Sequence, residues 1–468
     1  MPAREDAASL MSLPRDVVAQ VVMPYLTLLD ANVLRVVNRE LRDAVLEAPF
    51  VDARTLVAKP AAWRAVFPRA RALNISARLD AKGRLAPGEC ARVLRGGDLA
   101  AVAGVATVVA HGLITTRASD LAQLRGVRSL DLGVTNSRYS HQFNVGAIVG
   151  AEALAALVGG GLRTLSLAGC RGVTDATVAA CKGVLDLDAS GCADLTDAAF
   201  AALAGVHRLT LSSKSSGWWS RGLRITDAAL KFIASGGVRE LDVSACAAIT
   251  DAGLLLLAPT LRVLSVRGLA LVTNAGVGAC SELVELDVSR CSRITDAVLG
   301  DLPKLKKLVA STVRHSGSYF RRERGPVMRH LARMAALESV DISGAAHVSG
   351  SLALLRNVRA LDLSFCGWLD DARLRELAAG LRARGAALDK LVLRKEARVT
   401  AAGIAALAGV VHGELNVEFI NKHVSVAAGF DALTAAEGDD AAAAAAAIAA
   451  AAPQKKPAAQ RRRRIARR

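Results

Sequence analysis

The chain has 468 residues, 52% of them hydrophobic but only 3% aromatic, and a formal net charge of +17 at pH 7. That much apolar material fills a large core, and Ala, Leu and Val must fill it, as a stack of repeats allows. A membrane protein and a metalloprotein are excluded: the longest low-polarity run, Ala441–Ala452, is too short to span a bilayer, and the eight cysteines include no CxxC pair and no Cys/His cluster at zinc spacing.

Residues 10–52 read as a small all-α module. Leu13-Pro14 opens a helix, since proline is tolerated in the first turn. Val17, Val18, Val21 and Val22 give an apolar stripe at helical spacing, and Pro24 ends or bends that helix. Asp30 is placed to cap a second helix carrying Val33, Leu34, Val37, Leu41 and Val45. Together with Leu26, these positions resemble an F-box, with Asp16 where that motif has Glu, Asn38 where it has Cys, and no Trp following. The resemblance implies that Leu13, Pro14, Val17, Val18, Val21, Leu26, Val33 and Val37 bind the Skp-type adaptor of a cullin–RING ubiquitin ligase. The other reading is a helical cap that shields the first repeat. It predicts tight packing where the F-box reading predicts an exposed apolar helix face.

Residues 53–104 form a transition. ARALNIS at Ala70 has the outline of a degenerate first repeat, and Pro87, Gly88, Gly96 and Gly97 mark loops.

From 105 to 425 one pattern recurs. The central units start at Leu162 (LRTLSLAGC), Val184, Val206, Val238, Leu261 and Leu283, stepping by 22, 22, 32, 23 and 22 residues. Units at Val105 and Val127 precede them, and units at Leu305, Leu337, Val358 and Leu388 follow, with VHGELNV near Val411 as a fading last copy. In each unit two apolar residues spaced two apart share one strand face. Thr-Asp or Thr-Asn then starts a helix-like segment, the Thr as N-cap and the Asp at the positive end of the helix dipole. A strand and a helix this short cannot bury a core alone, so the units must stack. The pattern LxxLxLxxC followed by Thr-Asp resembles the cysteine-containing leucine-rich repeats. The expected fold class is α/β: a leucine-rich-repeat solenoid, a ribonuclease-inhibitor-like horseshoe of curved parallel sheet with outer helices, preceded by the F-box-like module. Cys170, Cys192, Cys246, Cys291 and Cys366 fall at the strand ends and Cys181 and Cys280 before the next strand. They read as structural thiols bonded to turn carbonyls, which fits a reducing cytoplasmic and/or nuclear compartment.

Three units are too long, those at Val127, Val206 and Leu305, and the extra residues fall between strand and helix. These loops carry Tyr139, His141 and Phe143; Trp218, Trp219 and Arg221; and His315, Tyr319, Phe320, Arg321, Arg322 and Arg324. Aromatics interleaved with arginine on a rigid scaffold suit a protein partner; the alternative is that they fold back over the sheet edge. On the concave face, Asp188, Asp242, Asp287, Asp341 and Asp362 recur at one strand position, with serine at most of the next outward positions. Such an acidic, hydroxyl-lined floor suits a basic peptide, although L-D-L-S is also ordinary for these repeats.

Residues 426–468 read as a disordered, Ala-rich linker and a basic tail. Lys455, Lys456, Arg461, Arg462, Arg463 and Arg464 make a nuclear-localisation or non-specific nucleic-acid patch, or a solvated tail without a partner. No P-loop, GxSxG or HExxH is present, so no enzyme activity and no cofactor are expected. The leading expectation is a substrate receptor of an SCF-type ligase, monomeric apart from its adaptor and cullin complex. The runner-up is a non-enzymatic interaction scaffold.

Overall fold

The structure, a computed structural model, describes residues 57, 60–76, 93–94, 102, 104–111, 114–115, 124, 126–133, 150–170, 172–203, 205–212, 224–311, 328–345, 349–394 and 398–418. The chain divides into two compact units, Met1–Leu261 and Arg262–Arg468.

In the first unit, helix α1 (Pro60–Val66) leads into strand β1 (Ala72–Asn74), followed by β2 (Val93–Leu94), β3 (Thr107–Val109), β4 (Ile114–Thr115) and β5 (Ser129–Asp131). Then strand and helix alternate: α2 (Ala151–Gly159), β6 (Thr164–Ser166), α3 (Asp175–Ala179), β7 (Asp186–Asp188), a 3-10 turn (Asp197–Phe200), β8 (Arg208–Thr210), α4 (Asp227–Ile233), β9 (Glu240–Asp242) and α5 (Asp251–Leu257). The sheet runs β1-β3-β5-β6-β7-β8-β9, while β2 and β4 pair by themselves. ARALNIS supplies β1, which pairs in parallel with β3. Trp63 and Phe67, their rings 6.3 Å apart, are buried beside it.

The second unit repeats the scheme with β10 (Val263–Ser265), α6 (Asn274–Gly278), β11 (Glu285–Asp287), a 3-10 helix (Asp296–Asp301), β12 (Lys307–Val309), α7 (Met328–Leu331) and β13 (Ser339–Asp341). It continues with a 3-10 turn (Leu352–Leu354), β14 (Ala360–Asp362), α8 (Asp371–Arg382), β15 (Leu388–Arg394), α9 (Ala401–Ala405) and β16 (Val411–Glu418), the strands following one another in sequence order. The segment that fades in sequence, VHGELNV, is the longest strand. Its pattern breaks at Gly413 because a Cβ there would collide with the Asp389 carbonyl, next to a shift of register between Leu388 and Lys390. Among the described residues no helix is long and apolar enough to cross a membrane.

Among the described residues the strand pairs within each unit are parallel, and the middle residues stack leucine on leucine: Leu130, Leu165, Leu187, Leu209 and Leu241 in the first unit, and Leu264, Leu286 and Leu308 in the second. Each of these is at most 3% exposed. A strand of three residues buries one side chain, so stability must come from this repeated stacking. The fold is an α/β leucine-rich-repeat solenoid.

The helix starts do more than the sequence suggests. Thr226, Thr250, Thr273 and Thr400 accept the N–H two residues on at 3.2 Å, as N-caps do. The Asp after the Thr stands in the first turn of its own helix as expected and, at Asp175, Asp197 and Asp227, also holds the next repeat. Asp175 accepts the backbone N–H of Thr196 at 2.8 Å and its hydroxyl; Asp197 holds Thr226 at 2.8 and 2.7 Å, and Asp227 holds Thr250 at 2.9 and 2.6 Å. Asp371 does the same for Thr400, and Asn274 holds Thr295 through both amide atoms at 2.8 Å. The long unit after β12 has no such Thr, and His330 Nδ1 lies 2.9 Å from Asp296 in its place.

At the corner after seven of the strands, β6, β7, β9, β10, β11, β13 and β14, the backbone turns through a left-handed residue. Glycine takes it at Gly169, Gly191, Gly268 and Gly344, but Ala245, Arg290 and Phe365 adopt φ of 62, 63 and 61° there. Only glycine occupies that region without steric cost.

Candidate functional site

On the sheet surface the three-residue strands expose their first and third side chains and bury the second. The first-residue column is largely self-neutralised. Arg208 Nε lies 2.6 Å from Glu240 in the first unit; in the second, Lys307 lies 2.8 Å from Glu285 and Lys390 2.6 Å from Glu414.

The third-residue column is where charge of one sign collects. It reads Asp131, Ser166, Asp188, Thr210 and Asp242 in the first unit. In the second it reads Ser265, Asp287, Val309, Asp341, Asp362, Val392 and Asn416. The five expected aspartates are all there and all half-exposed. In each, Oδ1 accepts the N–H two residues on: Asp188 from Ser190 at 2.9 Å, Asp242 from Ser244 at 2.9 Å, Asp287 from Ser289 at 2.8 Å, Asp341 from Ser343 at 2.9 Å and Asp362 from Ser364 at 2.8 Å. This Asx-type bond turns the chain out of the strand, so every carboxylate is both a turn-former and part of the surface. Among the described residues none of the five is paired with a Lys or Arg.

Most of the serines that follow do not line this floor, whereas Ser244 and Ser311 are half-exposed on it. Ser190, Ser289, Ser343 and Ser364 are buried, because the turn set by the Asp directs them inward, and Ser212, which follows Thr210, is buried as well. Their hydroxyls bond repeat to repeat, Ser212 to Ser190 at 3.1 Å and Ser343 to Ser311 at 2.8 Å. The surface carries carboxylates interspersed with Ser166, Thr210 and Ser265, beside the half-exposed Ser244 and Ser311.

The aspartates do not share one electrostatic environment. At Asp341 burial raises the pKa; the Ser343 hydroxyl and N–H pull the other way, and the like charges of Asp362 and Asp287 push further up, leaving it above the usual carboxylate value. Asp362 sits directly opposite Asp341 in the register, about 4.8 Å away along the ladder. At Asp131 burial also raises the pKa, but His111, Gly133 and Ser166 together outweigh it and hold the carboxyl below its ordinary value. His111 Nε2 is 2.7 Å from Asp131 Oδ2, both partly exposed. Sequence reasoning missed this pair: a single His two residues beyond β3 has no spacing signature, and only the parallel register brings it beside Asp131.

The strand-end cysteines each donate to a carbonyl of the preceding repeat. Cys170 donates to Leu132 at 3.3 Å, Cys192 to Leu167 and Cys246 to Leu211 at 3.2 Å, Cys291 to Val266 at 3.0 Å and Cys366 to Ile342 at 3.5 Å. Cys181 and Cys280 bond back within their own helices, to Thr177 and Gly276. Burial pushes the thiols of Cys170, Cys181 and Cys246 up to about 12, and that of Cys280 to about 11. Among the described residues no group of three His, Cys, Asp or Glu is placed to hold a metal ion.

Several expected site residues lie outside the described residues: Leu13, Pro14, Val17, Val18, Val21, Leu26, Val33 and Val37; Tyr139, His141 and Phe143; Trp218, Trp219 and Arg221; Tyr319, Phe320, Arg321 and Arg322; and Lys455, Lys456 and Arg461 to Arg464.

A family model described as "Leucine Rich repeat" matches residues 238–258, a segment running from the start of one unit through β9 and α5. No curated protein matches. Among solved structures, an internalin (InlF) of Listeria monocytogenes is 16% identical, with 70% of this chain and 90% of that chain covered and a TM-score of 0.42. The yeast Rad7–Elc1 complex is 16% identical, with coverage of 79% and 90% and a TM-score of 0.41. A TLR13–ssRNA13 complex is 15% identical, with coverage of 75% and 59% and a TM-score of 0.38.

Proposed function

We propose that this leucine-rich-repeat protein is a non-enzymatic interaction scaffold whose exposed strand faces bind a basic segment of a protein partner. We propose further that residues 10–52 make it the substrate-recognition subunit of an SCF-type, cullin–RING ubiquitin ligase. The observation that carries the first part is the third-residue column: five half-exposed carboxylates that, among the described residues, are paired with no Lys or Arg. Carboxylates held by backbone N–H groups keep their positions before any partner arrives, so little ordering cost remains for binding. The second part rests on the F-box resemblance of Leu13, Pro14, Val17, Val18, Val21, Leu26, Val33 and Val37. In that role the chain holds a substrate near the ligase, and the chemistry belongs to the partner subunits.

The test of the ligase reading is a pull-down with the Skp-type adaptor, comparing wild type with the double variant Leu13→Asp, Val17→Asp. Binding by wild type that the variant loses supports the receptor role. Retention by neither protein removes it and leaves residues 10–52 as a cap on the repeats. The loops enter as further substrate contacts. If Arg321→Glu with Arg322→Glu leaves every substrate association intact, the loop at 319–322 is not one of them.

A further inference from the structure

In the second unit the third-residue column carries Asp287, Asp341 and Asp362 and no basic residue, while the neighbouring first-residue column is neutralised in pairs. The charges acting on the Asp341 carboxyl from along the sheet are the like charges of Asp362 and Asp287. A cationic chain laid across these strands would relieve that repulsion. The same unit contains such a chain: residues 453–468 hold eight Lys and Arg and no acid.

Reach is no obstacle. Thirty-six residues separate Glu418, the end of β16, from Lys455. They cover about 54 Å even as a helix and about 120 Å fully extended. The path from β16 back to β11 crosses five strand spacings, about 24 Å. The segment is also chemically plain: arginine and lysine with alanine, proline, glutamine and one isoleucine, and no aromatic to anchor it in a pocket. A flat strip of carboxylates that asks only for positive charge is the surface it fits.

We propose that residues 455–468 dock on the exposed strand face of β11–β14 in their own chain, across Asp287, Asp341 and Asp362, and occupy the surface offered to a basic partner until that partner displaces them. This deepens, and rests on, the reading of that face as a binding surface. It makes the tail a tethered competitor. Tethering supplies an effective concentration on the order of 1 mM, so a partner must either exceed the tail in affinity or bind where the tail has been drawn away.

The test uses the full chain, as wild type and with Arg461, Arg462, Arg463 and Arg464 all changed to glutamine, and a fluorescently labelled synthetic peptide of residues 455–468. The expected result is that the peptide binds the glutamine variant at least about tenfold more tightly than wild type. Adding Asp341→Asn and Asp362→Asn to that variant removes most of this binding, and so does about 0.5 M salt. Equal binding to wild type and variant overturns the tail proposal while leaving the face as a binding surface. Binding that survives both asparagine changes places the peptide elsewhere and overturns it too. No binding to either protein overturns the tail and the face reading together, and the adaptor pull-down then stands alone. Light scattering covers the remaining arrangement: a wild type that dimerises with concentration while the glutamine variant does not overturns docking within one chain.

Discussion

At the residue scale, single Asp side chains join one repeat to the next. Asp227 grips Thr250 by its N–H and hydroxyl, and the small residue three beyond that Thr, Gly253, leaves room for it: a Cβ there would collide with the Asp227 carboxylate. Asp227→Ala should lower stability by about 1–3 kcal/mol, since it strands a backbone N–H. Gly253→Ala should also destabilise, and urea unfolding of the double variant should show less than the sum, because the Ala at 227 removes the clash. The left-handed corner gives a pair of opposite sign. Gly191→Ala should cost about 1 kcal/mol, with no new contact closer than 3.7 Å to blame, whereas Ala245→Gly should shift the urea midpoint upward. Asp341 supplies a pH signature. Its raised folded pKa means that its stabilising contribution is fully present below the unfolded value of about 4 and is lost as pH rises through the folded value. In the four-glutamine tail background, Asp341→Asn should therefore exceed its parent in stability at pH 7 and match it below about pH 4. Asp131, held low by His111, behaves oppositely: its contribution is present above about pH 4 and is lost on acidification. The five aspartates were legible as a periodic column. Their second duty as turn-formers, and the inward aim of the serines after them, depends on a backbone reversal that alternation along a strand does not encode.

At the element scale, strands and helix starts were legible because the units repeat the same apolar spacing and most of the central ones the same Thr. What the spacing hid was direction: Asp175, Asp197 and Asp227, each beside a Thr at a helix start, reach across to the neighbouring repeat, a contact that no window within one unit contains. The final strand was the converse case. Gly413 weakens the pattern of β16 in the sequence for the same reason that the strand can approach Asp389 so closely. The cysteines end strands as expected, and their chemistry follows from burial. With thiols pushed to about 11 or 12, Cys170, Cys181, Cys246 and Cys280 should resist iodoacetamide at pH 8 in the folded protein and label fully in urea, read peptide by peptide by mass spectrometry.

At the scale of the whole molecule, repeat number and phase carried the fold class, because leucines stacked on leucines at a fixed step admit few other architectures. The partner was not legible in the same way. A column of aspartates states a charge and a spacing, and the loops at 139, 218 and 320 state a composition; neither encodes the sequence they meet. The adaptor pull-down and the tail competition divide that question, since one depends on residues 10–52 and the other on Asp341 and Asp362. The one-way reach of the joining carboxylates has its own consequence. Where the joint is present, as at Asp197–Thr226, Asp227–Thr250 and Asp371–Thr400, one unit offers Asp and the next Thr, in the same orientation. A segment of 22 residues duplicated or excised whole therefore presents matching halves at both new junctions. Unequal exchange within the gene would then lengthen or shorten the array without creating a mismatched seam as long as the capping Thr is kept; the long unit after β12 lacks it, and there His330 meets Asp296.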